Sequence, residues 1–252
     1  MLLREEGDAV IAIGQASHAW ISGQLARAWG NERFAAPEPR EEVCLAAEQH
    51  DVGMAQLDLH PSMNPRTGRP HSFLEMPLES HVALWTVAPA RLLSQSRYAA
   101  LLVSMHGTAL YERHAPATLD AVQRRLVRDY LNGQRALQTA LADQLGVDRG
   151  QLRRNQRLLW TWDSLSLAVC LRWQPFAIAD VPATKGPLEL ELALAATGAE
   201  RFTLNPWPFI TKQVEVRCEG RRLEGRFDAE AELHEALERA PVVGLVFTFE
   251  AP

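Results

Sequence analysis

Apolar residues recur at helical spacing through the first two thirds of the chain. Ile21 and Leu25, for example, share one face of the segment over residues 15–29. A repeat of three to four residues is the pattern of an amphipathic helix. The spacing predicts helices over the following segments: 15–29, 39–50, 78–93, 98–110, 116–145 and 149–173.

Beyond Pro175 the pattern changes to an alternation of apolar and polar residues. LELELALAA and QVEVRCEG repeat with a period of two, RRLEGRF is typical of a hairpin partner, and PVVGLVFTFE of a final strand. One short helix is predicted over residues 230–239. The sequence therefore predicts a mainly α fold, in which a helical domain over residues 1–178 is followed by a small antiparallel sheet with one helix over residues 179–252.

Periodicity is absent between residues 52 and 77. This segment is rich in Pro, Gly, Asn and His, and it is too long for a plain connector in a compact domain. Long loops of this kind usually serve function. Because the loop begins just after a His-Asp pair, we expect it to cover a site there, with His71 and Arg69 in contact with substrate.

The composition and net charge of the chain exclude several classes of protein. The chain has 252 residues, of which 47% are hydrophobic, and a formal net charge of -5. Such a chain can bury a sizeable core, and its charge argues against nucleic acid or an anionic membrane as partner. Its three cysteines form no C-x-x-C pair, and neither a signal peptide nor an 18-residue apolar run is present. We expect a cytoplasmic protein.

Several polar residues fall on helix faces that are otherwise apolar. A buried polar group without a partner costs about 1–3 kcal/mol, so each must be hydrogen-bonded, paired or bound to a cation. Imidazole and carboxylate groups together suit Fe, Mn, Zn or Mg. The sequence therefore predicts a metal site in the core. Its predicted ligands are His18, His50, Asp51, His81, His106 and Asp163.

The order of these residues resembles that in the HD-domain superfamily of metal-dependent phosphohydrolases, which is named after an adjacent His-Asp pair. The resemblance implies an HD-like helical bundle and two divalent metal ions. It implies that Asp51 bridges the two ions, with His18, His50 and Asp163 on one ion. His81 and His106 would hold the other ion, as in the dinuclear branch of the superfamily.

The chain is also similar to an uncharacterised bacterial family, a domain of unknown function. The stretches that carry this similarity are QHDVGMAQLD, SMHGTALYERH, WTWDSLSL and NPWPF.

The chain departs from two HD patterns, because it has HDVGM in place of HD-x-G-K and HGTAL in place of H-G-Y-P. These departures argue against cleavage of cyclic di-GMP.

A dinuclear site of this kind activates a water and stabilises the charge of phosphoester hydrolysis. The expected function is therefore hydrolysis of a phosphoester of a small molecule or nucleotide. Asp51 and His50 are the predicted catalytic residues, and Arg69, Arg113 and His71 the predicted substrate contacts.

Two alternatives remain open on the sequence alone. The myo-inositol oxygenase-like branch uses the same ligand set to hold two irons and cleaves carbon bonds with dioxygen. A non-catalytic protein that binds or senses metal is the other. The edge strands of the C-terminal sheet are further expected to allow a homodimer.

Overall fold

Strands from the N-terminal and C-terminal parts of the chain form one seven-stranded mixed sheet. The computed structural model describes residues 1–114, 118–184 and 189–252. The sheet has the order β1-β2-β8-β9-β7-β6-β5, in which only the β7–β9 pair is parallel. Its strands are β1 (Leu2–Glu6), β2 (Ala9–Ile13), β5 (Phe176–Pro182), β6 (Glu189–Gly198), β7 (Arg201–Asn205), β8 (Gln213–Glu224) and β9 (Val242–Glu250). A two-stranded ladder within the long loop consists of β3 (Met63–Asn64) and β4 (Arg69–Pro70).

The helices carry most of the residues predicted to hold metal. They are α1 (Gln15–Ala28), α2 (Arg40–Gln49), α3 (Ala55–Leu59), α4 (Leu78–Val87), α5 (Arg97–His114), α6 (Ala121–Leu145), α7 (Arg149–Cys170) and α8 (Glu230–Arg239). Short 3₁₀ helices cover Phe73–Glu75 and Pro89–Leu92. The predicted helices are confirmed, with shifted ends. The segment 78–93 divides at Pro89, whose nitrogen cannot donate to a helical ladder.

The ends of two predicted elements fall beside parts of the chain that are not described. Residues 116 and 117 of the predicted helix 116–145 lie outside the described residues, and α6 begins after Asp120, whose side chain accepts a hydrogen bond from the Gln123 backbone N–H. Leu188 of the predicted strand LELELALAA also lies outside them, and the rest of that stretch forms β6.

The expectation of a mainly α, HD-like bundle followed by a small antiparallel sheet is wrong. Strands β1 and β2, at the N-terminus, pair with each other, and β2 pairs with β8, so the sheet is large. The parallel pair β7–β9 makes it mixed. Every residue of β2 is buried, because Ile11 and Ile13 face the main core while Val10 and Ala12 pack under α8. A short strand buried on both faces shows no alternation, which is why the pattern did not reveal it.

The main core joins the helices to the inner face of the sheet. Trp29, which follows α1, packs edge-on against Phe34, Trp162 and Phe209 at ring-centroid distances of 5.5, 5.9 and 5.7 Å. Trp162 belongs to α7, and α1 also contacts β8. Large aromatic side chains of this kind dominate the energetics of a core. They fix α1 and α7 relative to each other and to the sheet.

The division of the chain at residue 178 stays a prediction. The strands of the sheet come from both sides of that position. In the part of the chain that the structure describes, no helix combines the length and apolar character needed to cross a membrane.

Replacement of Gly220 by Ala tests the pairing of β2 with β8. A Cβ at Gly220 would lie 2.6 Å from Ile11 Cγ2 and 3.2 Å from the Ala12 carbonyl oxygen. We expect Gly220→Ala to lower the free energy of unfolding by about 1–3 kcal/mol, as overpacking does, measured by urea denaturation.

Gly244→Ala is the matched control, because a Cβ on this β9 glycine would meet nothing within 4 Å. Equal stabilities of the two variants would show that β2 does not lie against β8.

Candidate metal centre

Four helices bring imidazole and carboxylate groups to one buried point. His18 lies on α1, His106 on α5 and Asp163 on α7. His50 is the C-cap residue that follows α2, and Asp51 comes next. These five side chains are almost completely buried, since the most exposed residue, Asp163, exposes 7% of its surface. Ionisable groups in such a position must be paired or bound to a cation.

The hydrogen bonds around His18 fix which of its nitrogens carries the proton. The Ser166 hydroxyl donates to the Asp163 carbonyl oxygen at 2.8 Å and accepts from the Ser22 hydroxyl at 3.0 Å. His18 Nδ1, 2.9 Å from the same Ser166 oxygen, must therefore be the donor of their hydrogen bond. Nε2 of His18 is then directed at Asp51 Oδ2, only 2.6 Å away.

His50 has the same arrangement. Its Nδ1–H donates to the Ala47 carbonyl oxygen at 2.9 Å. Its Nε2, which makes no directed hydrogen bond with the described residues, lies 3.3 Å from Asp163 Oδ1 and 3.6 Å from Asp51 Oδ2. Metal-binding histidines almost always donate their outer N–H to a protein oxygen in this way.

Two imidazole nitrogens thus face two carboxylates, and this cluster requires a positive charge. Burial opposes protonation of His50, but Asp51 and Asp163 outweigh it and raise the pKa of His50 to about 9. Burial alone would raise the pKa of Asp163, yet His50 and His106 hold it well below its usual range. A proton on His50 supplies part of this charge in the absence of metal, and a divalent cation would replace it.

His18, His50 and Asp163 fit a single metal ion. Each offers one ligand atom, and these three atoms all lie within 4.8 Å of one another. Asp51 lies beside the same two imidazoles. The donor set of nitrogen and oxygen is compatible with Fe, Mn or Zn and does not select among them.

His106 approaches the second oxygen of the same carboxylate. Its Nε2 lies 3.4 Å from Asp163 Oδ2, and its Nδ1 is buried without a hydrogen bond among the described residues. The ring lies between Trp85 and Trp160, at centroid distances of 5.7 and 5.6 Å. His106 could therefore add a ligand at Asp163 Oδ2, next to the His50 ring, whose centroid lies 5.1 Å from that of His106.

His81 lines the same cavity but has protein partners at both nitrogens. Its Nε2 accepts a hydrogen bond from the Trp85 indole N–H at 3.1 Å, so Nδ1 carries the proton and donates to the Tyr111 hydroxyl at 2.5 Å. Burial lowers the pKa of His81, which keeps it neutral. A metal at His81 would have to displace Trp85. The assignment of a second ion to His81 and His106 stays a prediction.

The clustered His and Asp side chains form the floor of a cavity of about 610 Å³. Its walls are mostly apolar, and the long loop contributes Phe73, Leu74 and Met76 to them. The prediction that this loop covers the site therefore holds for its apolar residues. No pattern in the sequence indicated Phe176, Trp173 or Tyr111 as wall residues, because large apolar side chains are indistinguishable there from ordinary core residues.

The three predicted substrate contacts lie elsewhere among the described residues. His71 bonds to the Ser62 hydroxyl at 3.0 Å. Arg69 donates to the Glu5 carboxylate and to the Asp8 carbonyl oxygen. Arg113 is exposed, with its guanidinium carbon 4.4 Å from the Trp160 ring centroid. Their contact with substrate stays a prediction.

Ser166 is the functional residue that sequence reasoning missed. It lies three positions after Asp163 in the stretch WDSLSL, on the buried side of α7. A small hydroxyl on an apolar face, one helical turn from a predicted ligand, was the available signal. Its role is to hold the Nδ1 proton of His18.

The chain belongs to the family described as "Protein of unknown function (DUF3891)", which matches residues 1–225. The match spans all the residues of the cluster and confirms the expected similarity to an uncharacterised family. No curated protein and no solved structure matches the chain. The comparisons give no support for membership of the HD-domain superfamily, so that resemblance depends on the order of the ligands alone.

Removal of a ligand should abolish metal binding. We expect the unmodified chain to retain a divalent metal after purification and dialysis, and His50→Ala and Asp163→Ala to lose it, measured by elemental analysis. Ser166→Ala should bind the metal about 10–100-fold more weakly, because loss of an outer hydrogen-bond partner has that effect.

His71→Ala is the control for these variants, since its side chain bonds to Ser62 outside the cluster. An unchanged metal content in both His50→Ala and Asp163→Ala would contradict the proposed centre.

The metal-depleted protein should lose stability as the pH rises. The pKa of His50 is about 9 in the folded chain, against an ordinary value of 6.5, so the folded state holds more protons between these values. We expect the free energy of unfolding to fall by about 1–3 kcal/mol from pH 6.5 to pH 9, measured by urea denaturation after chelation. His50→Gln should flatten this dependence, and an equal slope in both proteins would disprove the assignment to His50.

Proposed function

We propose that the chain is a metal-dependent hydrolase that acts on a phosphoester of a small molecule, with an HD-type set of His and Asp ligands. The proposal depends on the position of two imidazole nitrogens. Nε2 of His18 faces the Asp51 carboxylate, and Nε2 of His50 faces that of Asp163. Nδ1 of each imidazole already donates its proton to a protein oxygen. This cluster forms the floor of a cavity large enough for a small molecule.

The geometry supports the following ligand roles. His18, His50 and Asp163 would hold the first ion, since their ligand atoms lie together, and His106 with Asp163 Oδ2 is the nearest donor pair for a second. When bound, such an ion lowers the pKa of a water molecule and stabilises charge on phosphoryl oxygens.

Asp51 is the residue best placed to handle a proton. Its carboxylate lines the cavity, and neighbouring His50 and His18 lower its pKa against the effect of burial. An ionised carboxylate can accept a hydrogen bond from an attacking water and orient it. The apolar walls exclude bulk water, which strengthens each electrostatic interaction at the floor of the cavity.

A di-iron oxygenase is the second candidate. It would use the same ligands, and the apolar walls favour it, because dioxygen chemistry requires that water be kept from the reactive centre. The identity of the metal separates the two reactions. A protein that only binds or senses metal would show neither.

Turnover after reconstitution with single metals tests the proposal. We expect the protein loaded with Mn²⁺ or Zn²⁺ to hydrolyse bis-p-nitrophenyl phosphate, measured by release of p-nitrophenol. Asp163→Ala should lower this activity by about 100-fold or more, because it loses the metal. Leu59→Ser should retain activity, because Leu59 is exposed and does not line the cavity.

Dioxygen uptake by the Fe²⁺-loaded protein, without hydrolysis under any metal, would favour the oxygenase instead. Bound metal without either activity would contradict an enzymatic role.

A further inference from the structure

The walls of the cavity differ from those expected for a phosphate-rich substrate. More than half of the lining residues are apolar, among them Met54, Phe73, Met76, Trp160, Leu167 and Phe176. Among the described residues, no arginine or lysine lines the cavity. Sites for phosphomonoesters and nucleotides usually hold the phosphate oxygens with cationic side chains.

Two arginines close to the wall residue Trp173 are paired with acids. Arg172, next to the wall residue Trp173, donates to Glu200 at 2.8 Å and to Glu6 at 3.4 Å. Arg4 donates to the same two carboxylates, at 2.6 and 3.1 Å. Because the described lining residues include no arginine or lysine, the positive charge of bound metal is the main attraction for an anionic substrate inside the cavity.

Two apolar side chains at the mouth of the cavity are exposed. Leu74 exposes 71% of its surface and Trp173 39%, although both line the cavity. An exposed leucine and tryptophan that continue an apolar wall are typical of a surface that binds apolar groups. An apolar part of the substrate would therefore have favourable contacts from the mouth to the floor.

We infer that the substrate is a singly charged phosphodiester, or a phosphonate ester of the same charge, that carries an apolar ring or chain. This inference rests on the proposed function. The metal centre would bind the single negative charge, and the walls would bind the apolar group. Burial of a second or third negative charge in these walls would cost more than the available cations offset.

The reaction balances without a further reactant. The water oxygen forms a bond to phosphorus as the bond between phosphorus and the leaving oxygen breaks. One proton of the water passes to the departing oxygen, and no group is oxidised or reduced.

Two esters with the same leaving group and the same charge test the preference. One is p-nitrophenyl phenylphosphonate, which carries an apolar ring, and the other is the p-nitrophenyl ester of thymidine 5′-monophosphate. We expect kcat/KM for the phenylphosphonate to be about tenfold higher or more. A preference for the thymidine ester, or for the doubly charged p-nitrophenyl phosphate, would overturn the inference.

A variant at the mouth tests whether the apolar wall causes the preference. Leu74→Ser should raise KM for the phenylphosphonate about fivefold or more and leave KM for the thymidine ester nearly unchanged. Leu59→Ser is the matched control, because Leu59 is 63% exposed and does not line the cavity. Equal effects of Leu74→Ser and Leu59→Ser would refute a role for the wall.

Binding without turnover separates this inference from the proposed function. Diphenyl phosphate and adenosine 5′-monophosphate are titrated into the metal-loaded protein, with tryptophan fluorescence as the signal, since Trp85, Trp160 and Trp173 line the cavity. Tighter binding of diphenyl phosphate by about tenfold, together with no hydrolysis of any ester, would reject the hydrolase and retain the apolar ligand class. Tighter binding of the nucleotide would reject the ligand class whether or not hydrolysis occurs.

Discussion

The structure depends on a charge requirement at one buried point. Nε2 of His18 lies 2.6 Å from an Asp51 oxygen, and Nε2 of His50 lies 3.3 Å from an Asp163 oxygen. Both imidazoles have already committed their other nitrogen to a protein oxygen. Without a cation, the nitrogens and the carboxylates would present only lone pairs to one another in a medium of low dielectric constant. A proton or a metal ion must therefore be present for these helices to converge.

The sheet is part of this arrangement because it fixes the helices that carry the ligands. Trp29 follows α1, Trp162 precedes Asp163 on α7, and their rings pack together with Phe209, which lies between β7 and β8. A well-packed aromatic cluster resists small displacements. The ligand positions are thus determined by residues from the N-terminal helices and from the C-terminal half of the sheet together.

One physical rule explains which site residues were predicted correctly from the sequence and which were not. A polar residue on an apolar face needs a partner, and for His18, His50 and Asp163 that partner is the common cluster. The same rule selected His81, but there Trp85 and Tyr111 provide hydrogen-bond partners for both ring nitrogens. Local spacing cannot distinguish a histidine of this kind from a metal ligand. Strand β2 escaped prediction because burial on both faces removes its alternation.

The pairing of β2 with β8 has a consequence for how the chain folds. Ala9 pairs with Glu224 and Ile13 with Gly220, so the partners lie roughly two hundred residues apart in the chain. Contacts between such distant residues raise the contact order and slow folding, because the chain between them loses entropy before the pairing is gained. During synthesis, the apolar segment AVIAI emerges long before its partner strand exists. This segment stays exposed to aggregation until β8 has been made.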